Sequence, residues 1–135
     1  MNYWLVKSEP FKYSWDQFLK DKVTFWDGVR NYQARNNLKD MRTGDLCMFY
    51  HSNEGKEIVG IAEVVKQAYQ DPTTEDPRWV VVDFKPSQTL KSPVGLDKIR
   101  QDAVLQNIGL IRQTQLSVMP LNPDEFNRIL MLSEA

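Results

Sequence analysis

The alternation of apolar and polar positions outlines the fold first. Residues 3–6 form a short β-prone run, closed by Lys7-Ser8-Glu9-Pro10. Proline biases the residue before it away from helical geometry, so this tetrapeptide is expected to be a fixed, extended loop. In Ser14-Trp15-Asp16-Gln17 a serine N-cap is followed three residues later by glutamine, the pattern of a capping box. Trp15, Phe18 and Leu19 then give an apolar stripe at helical spacing. Trp26-Asp27-Gly28 reads as a turn and residues 34–41 as a second short helix. Thr43-Gly44-Asp45 introduces a strand over 46–50, Asn53-Glu54-Gly55-Lys56 has hairpin chemistry, and 58–65 is the return strand. Gly60 and Ala62 mark a place of close packing or a bulge in that strand.

Further along, 71–77 reads as a loop and 79–84 is the most β-branched run. Residues 96–105 are expected to be helical, with Leu96, Ile99 and Ala103 on one side. Asn122-Pro123-Asp124-Glu125 is a helix start, with an N-cap, proline at the first position and acids facing the dipole. That helix should end near Leu132. Hairpin strands with interspersed short helices predict an α+β domain or a small barrel decorated by helices.

Composition narrows the possibilities. The 135 residues fit one domain spanning 1–135, long enough to bury a core without disulfide or metal staples. Lysine and arginine number 17 against 18 acids, a formal charge of −1, which argues against coating long nucleic acids through phosphate neutralisation. Any such contact must be local. A single cysteine and a single histidine exclude a disulfide framework and a multi-cysteine zinc site. No signal peptide or membrane-length apolar run is visible, so the expected location is cytoplasmic, or nuclear in a nucleated source.

Three segments combine aromatics with hydrogen-bonding groups: residues 4–10, residues 26–36, and Phe49-Tyr50-His51-Ser52-Asn53 at the tip of the predicted hairpin. If the three tips meet, they form a pocket with aromatic walls and a polar floor, suited to a planar heterocycle. Arg30, Arg35 and Lys7 are then candidates to hold flanking phosphates. On pattern alone, Trp4 and Trp26 fit a core as well as a pocket wall, while Trp15 and Trp79 read as core. A lone His51 is more often structural than catalytic, and Asp27-Gly28 is a plain turn in most proteins.

The same residues carry a resemblance. Tyr3-Trp4-Leu5-Val6-Lys7-Ser8-Glu9-Pro10 resembles the opening of EVE domains, and Trp26-Asp27-Gly28-Val29-Arg30-Asn31-Tyr32-Gln33-Ala34-Arg35-Asn36 is similar to that family's most distinctive block. Phe49-Tyr50-His51-Ser52-Asn53, Val59-Gly60-Ile61-Ala62-Glu63-Val64-Val65, Tyr69-Gln70-Asp71-Pro72 and Leu116-Ser117-Val118-Met119-Pro120-Leu121 follow in the family's order. The resemblance implies a PUA-like fold, a small mixed β-barrel with short helices around it, and a pocket for a modified cytosine or adenine in DNA or RNA. Carried over by position, the base pocket would use Trp4, Lys7, Ser8, Glu9, Trp26, Arg30, Asn31, Tyr50, His51 and Ser52, with Lys7, Arg30 and Arg35 on phosphates. No cofactor, metal or catalytic residue is implied. One position departs from the pattern: Gln115 stands where the family commonly has arginine, and Arg112 is the nearest candidate to compensate.

Two other functions compete. A sensor of free nucleosides or a protein-interaction module could use the same pocket. A hydrolase would need His51 to activate Ser52 or Cys47. Adjacent strand residues face opposite ways, and positions four apart lie ~13 Å apart, so neither pairing allows direct proton transfer.

Overall fold

The computed structural model describes residues 1–134. A six-stranded mixed sheet runs in the order β2-β5-β4-β3-β1-β6, formed by β1 (Tyr3–Ser8), β2 (Thr24–Phe25), β3 (Leu46–His51), β4 (Glu57–Gln70), β5 (Val80–Gly95) and β6 (Val118–Leu121). Around it lie α1 (Trp15–Asp21), α2 (Tyr32–Asp40), α3 (Leu96–Gln101), α4 (Gly109–Arg112) and α5 (Pro123–Ser133). The α+β, PUA-like fold expected from the sequence is the fold observed, with the barrel left open between its edge strands β2 and β6. The β1–β3 pair is parallel, while β3–β4, β4–β5, β2–β5 and β1–β6 are antiparallel.

Curvature comes from irregular pairing. The register of β4 against β5 shifts between Ile58 and Gly60, Ile61 and Ala62, Val64 and Lys66, and Lys66 and Tyr69. Such bulges bend a strand and increase its twist, and here they curl the sheet around an aromatic core. Phe49 is the hub of that core. Phe18 stacks on it at 5.6 Å, and Trp15 and Trp26 meet it edge-on at 5.1 and 5.6 Å. Trp15 reaches this position because Gly60 has no side chain: the indole occupies the space a Cβ there would need.

Several boundaries moved from those the pattern predicts. Lys7 and Ser8 are strand rather than loop, because they pair with Tyr50 and His51. Strands β4 and β5 run far past 65 and 84 as a twisted ribbon whose half-exposed residues lack clean alternation. The expected helix over 96–105 breaks at Asp102, whose carboxylate caps Val104 N–H at 3.0 Å and pairs with Arg128 at 2.7 Å; the chain restarts as a 3₁₀ turn (Ala103–Leu105) with Ala103 exposed. Ser14 caps α1 as expected, but Gln17 bonds to Asp21 instead of closing the box. At α5 both halves of the capping box form, between Asn122 and Glu125. Strand β6 carries Pro120, tolerated because it lies at the sheet edge.

Replacing Gly60 by alanine should therefore push Trp15 off the Phe49 ring. Overpacking of this kind costs about 1–3 kcal/mol, to be read as a lower urea midpoint. An unchanged midpoint would show that Trp15 has room to move.

Candidate functional site

Helix α2 packs against β4, β5 and β6, and Asn37 Nδ2 donates to Val118 O at 2.7 Å. Where the two edges of the curled sheet face each other, a cleft of about 470 Å³ remains. Its walls are the end of β1 and the following turn (Lys7, Ser8, Glu9, Lys12, Tyr13), the segment from Thr24 to Arg30, and Ser117 just before β6. The size lies within the range of small-molecule clefts. Tyr13, Phe25 and Trp26 supply aromatic surface, Lys7, Lys12 and Arg30 positive charge, and Glu9 and Asp27 carboxylates.

Each wall is fixed by identifiable contacts. Lys7 donates its backbone N–H to Ser117 O at 3.0 Å and its ammonium to Thr114 O at 2.9 Å, and partial burial lowers its pKa from the usual lysine value. Tyr13 meets Trp26 edge-on at 6.2 Å and donates its hydroxyl to Asp21 at 2.9 Å; burial first, then Asp21, push its pKa up to about 12, so it remains a phenol. Trp26 is held edge-on by Phe49 and by Phe84, at 5.6 and 5.5 Å, and is 9% exposed.

The turn after Trp26 depends on one buried acid. Gly28 has φ +76, which glycine adopts without strain, and its N–H donates to Asp71 Oδ2 at 3.1 Å. Arg30 Nη1 donates to the same oxygen at 3.1 Å and to Val29 O at 3.0 Å, with its guanidinium 5.5 Å from the centre of Trp79. The other Asp71 oxygen accepts from Thr73 N–H at 2.7 Å and from its hydroxyl. Burial pushes the Asp71 pKa up, but the bonds from Thr73, Gly28 and Arg30 outweigh it and hold the carboxyl below its ordinary value.

The cleft gathers Lys7, Ser8, Glu9, Trp26 and Arg30 from the expected set and leaves the others outside. Trp4, expected in the pocket, does not line this cleft. It sits three residues back from Lys7 along β1, 5% exposed, with its indole N–H donating to buried Asp45 at 3.0 Å. Asn31 is the N-cap of α2, accepting Ala34 N–H at 2.9 Å. Tyr50 is buried behind Lys7 in the parallel pair, and Ser52 N–H closes onto Ser8 O at 2.9 Å. His51 Nε2 accepts Trp15 N–H at 3.1 Å, and burial lowers its pKa despite the opposing Glu57 and Asp16. Arg35 lies outside the cleft, over Tyr32 at 5.0 Å. Cys47 is fully buried and its thiol is pushed well up, by burial and then by Asp45. Arg112 is turned away, held by Gln106 O and Asn107, and Gln115 is exposed one residue beyond Lys7's partner Thr114.

Lys12, Tyr13, Thr24, Phe25 and Ser117 also line the cleft from outside the three segments singled out, while Asp27, Gly28 and Val29 line it from within the second. Asp71 carried the one usable signal, since it belongs to the Tyr69-Gln70-Asp71-Pro72 block already singled out.

Comparison with known proteins gives these residues a family. The sequence model described as EVE domain matches residues 2–132. The chain belongs to the EVE domain family. Thymocyte nuclear protein 1 of Rattus norvegicus is 36% identical over 99% of this chain and 74% of its own length. Protein Atu2648 of Agrobacterium tumefaciens superposes with a TM-score of 0.96 at 40% identity, covering 98% of this chain and 93% of that one. Human THYN1, solved in complex with DNA containing 5-methylcytosine, superposes with a TM-score of 0.92 at 33% identity, covering 100% and 99% of the two chains. Among the described residues, no helix is long and apolar enough to cross a membrane.

The Asp71 network sets a stability prediction for this EVE domain. Asp71→Asn removes charge-assisted acceptors and should cost about 1.5–3 kcal/mol in urea unfolding, with the half-exposed Arg30 end contributing the smaller part. Because the folded pKa lies below the unfolded one, this stabilisation is complete above about pH 4 and is lost as pH falls through the folded value. Wild-type stability should therefore drop more steeply below about pH 4 than that of Asp71→Asn. Parallel curves for the two proteins would remove Asp71 as the anchor.

Proposed function

We propose that this EVE domain is a non-catalytic reader that takes one modified base of a DNA strand, a modified cytosine above all, into the cleft between Lys7 and Arg30. The observation that carries this reading is the joining, in one cleft, of aromatic surface from Tyr13, Phe25 and Trp26 with cations from Lys7, Lys12 and Arg30. A base is flat, polarisable and flanked by phosphates, so it suits both features. The likeness to human THYN1, a protein bound to 5-methylcytosine-containing DNA, supports the same reading. A base reaches such a cleft only from a single strand or after leaving its duplex, which costs a few kcal/mol.

Both bonds of Arg30 run from Nη1, and the remaining guanidinium nitrogens stay available to a phosphate. Lys7 has one ammonium donor engaged with Thr114 O and the others free to turn. With a nearly neutral chain, affinity has to come from the cleft and about three phosphate contacts rather than from a basic face.

Fluorescence anisotropy with single-stranded oligonucleotides, DNA and RNA, with and without the modified base, tests the reading. Trp26→Ala should weaken binding of the modified strand about tenfold, within the ~1–3 kcal/mol of one base stack, at a temperature where it remains folded. Trp4→Phe, which removes one of the two donors to the buried Asp45 Oδ2 and leaves the Arg42 N–H in place, should lose about 1–2 kcal/mol of stability and keep its affinity. Log affinity should fall with log salt at a slope of about −2 for three phosphates on a single strand. Equal, salt-independent binding of a free nucleoside would favour a nucleoside sensor instead, and an unchanged affinity in Trp26→Ala would remove the cleft from the assignment.

A further inference from the structure

Among the described residues, one buried side-chain polar atom has no hydrogen-bond partner, and it belongs to the cleft: Glu9 Oε2. Unpaired buried acceptors are rare because folding strips their water without replacing it, so this one calls for a reason. The rest of Glu9 is tied down. Asn53 Nδ2 donates to Oε1 at 2.6 Å, and the Glu9 carbonyl accepts the N–H groups of Lys12 and Tyr13 at 3.0 and 2.9 Å. Lys12 Nζ stands 3.1 Å from Oε2 as an ion pair, without the alignment of a hydrogen bond, on a side chain 71% exposed. That ammonium can swing to an arriving phosphate and uncover the oxygen.

An ionised carboxylate only accepts hydrogen bonds, so the group it selects must be a donor. Pyrimidine bases divide on this property at one position. Cytosine carries an exocyclic amino donor where thymine carries a carbonyl acceptor, and a glutamate accepting from that amino group is an established pairing chemistry. A thymine carbonyl brought to Glu9 would face a second acceptor with its water removed. We propose that Glu9 Oε2 accepts the exocyclic amino group of the bound base, held in place by Asn53, and that this contact makes the cleft select cytosine-type over thymine-type bases. This rests on the reading of the cleft as a base site.

The pair 5-methylcytosine and thymine isolates the contact, because the two share ring and methyl group and differ at that position and in the protonation of the neighbouring ring nitrogen. Affinities of single-stranded oligonucleotides differing only in this base are measured for the wild type and Glu9→Gln. The wild type should prefer 5-methylcytosine about tenfold or more. Glu9→Gln keeps an acceptor for Asn53 and gains an amide donor, so the ratio should fall to near one or reverse. A wild-type ratio near one, a ratio retained in Glu9→Gln, or a folded Glu9→Gln that binds neither strand would each overturn the assignment. Should Glu9→Gln not fold, as judged by its melting curve, Asn53→Ala reads the same ratio: a fall supports Glu9 as the selector and an unchanged ratio overturns it. Failure of the base-site reading looks different, since the wild type would then bind neither strand or Trp26→Ala would leave both affinities intact, and this proposal would fall with it.

Discussion

The Asp71 carboxylate is the interaction on which the site depends. It is inaccessible to solvent, and a buried charge is tolerable only when its hydrogen-bonding capacity is filled. Here it is filled from three directions: Thr73 in its own loop, the Gly28 N–H, and Arg30. The first keeps the β4–β5 connection folded on itself. The other two fasten the segment after β2 to that connection, and so fix where Trp26 ends and where the Arg30 guanidinium begins. Without the acid, Gly28 would expose an unpaired N–H, and Arg30 would keep only its bond to Val29 O and its contact with Trp79.

The cleft follows from how the sheet fails to close. Bulges curl it around Phe49, yet among the described residues β2 and β6 do not pair, and α2 packs beside the gap. The cleft is what remains at that gap. The parallel β1–β3 pair then sets the sequence blocks beside one another: Lys7 opposite Tyr50 and Ser8 opposite His51. The third block thus backs the cleft rather than lining it, and it touches the cleft wall through Asn53, which donates to Glu9.

Much of this was legible in the sequence, for physical reasons that differ by element. Caps at Ser14, Asn31 and Asn122 are local chemistry, and two of the three could be read from the pattern. Gly60 was legible as a close approach, although its partner Trp15 lies 45 residues earlier and no pattern names it. The lengths of β4 and β5 were not legible, because a twisted two-stranded ribbon does not need strict alternation. Strand β2 has only two residues and exists through its pairing with β5. The break at Asp102 needs Arg128, a long-range partner that helical periodicity ignores.

The two tryptophans show most plainly where sequence stops. Trp4 and Trp26 lie in equally distinctive blocks and are both nearly buried, at 5% and 9% exposed. What separates them is their neighbours. Trp4 uses its one donor on Asp45 deep in the fold and does not line the cleft. Trp26 meets three other rings at near-right angles while it lines the cleft. A similar contrast separates the acids. Asp71 has every oxygen engaged and is structural, whereas Glu9 in the same cleft region has one oxygen hydrogen-bonded and one that meets only the Lys12 ammonium, without a hydrogen bond. The proposed selector is thus told from the structural acid by a hydrogen bond left unmade rather than by residue type, because each made bond fixes a side chain to the scaffold and each unmade one is available to something else.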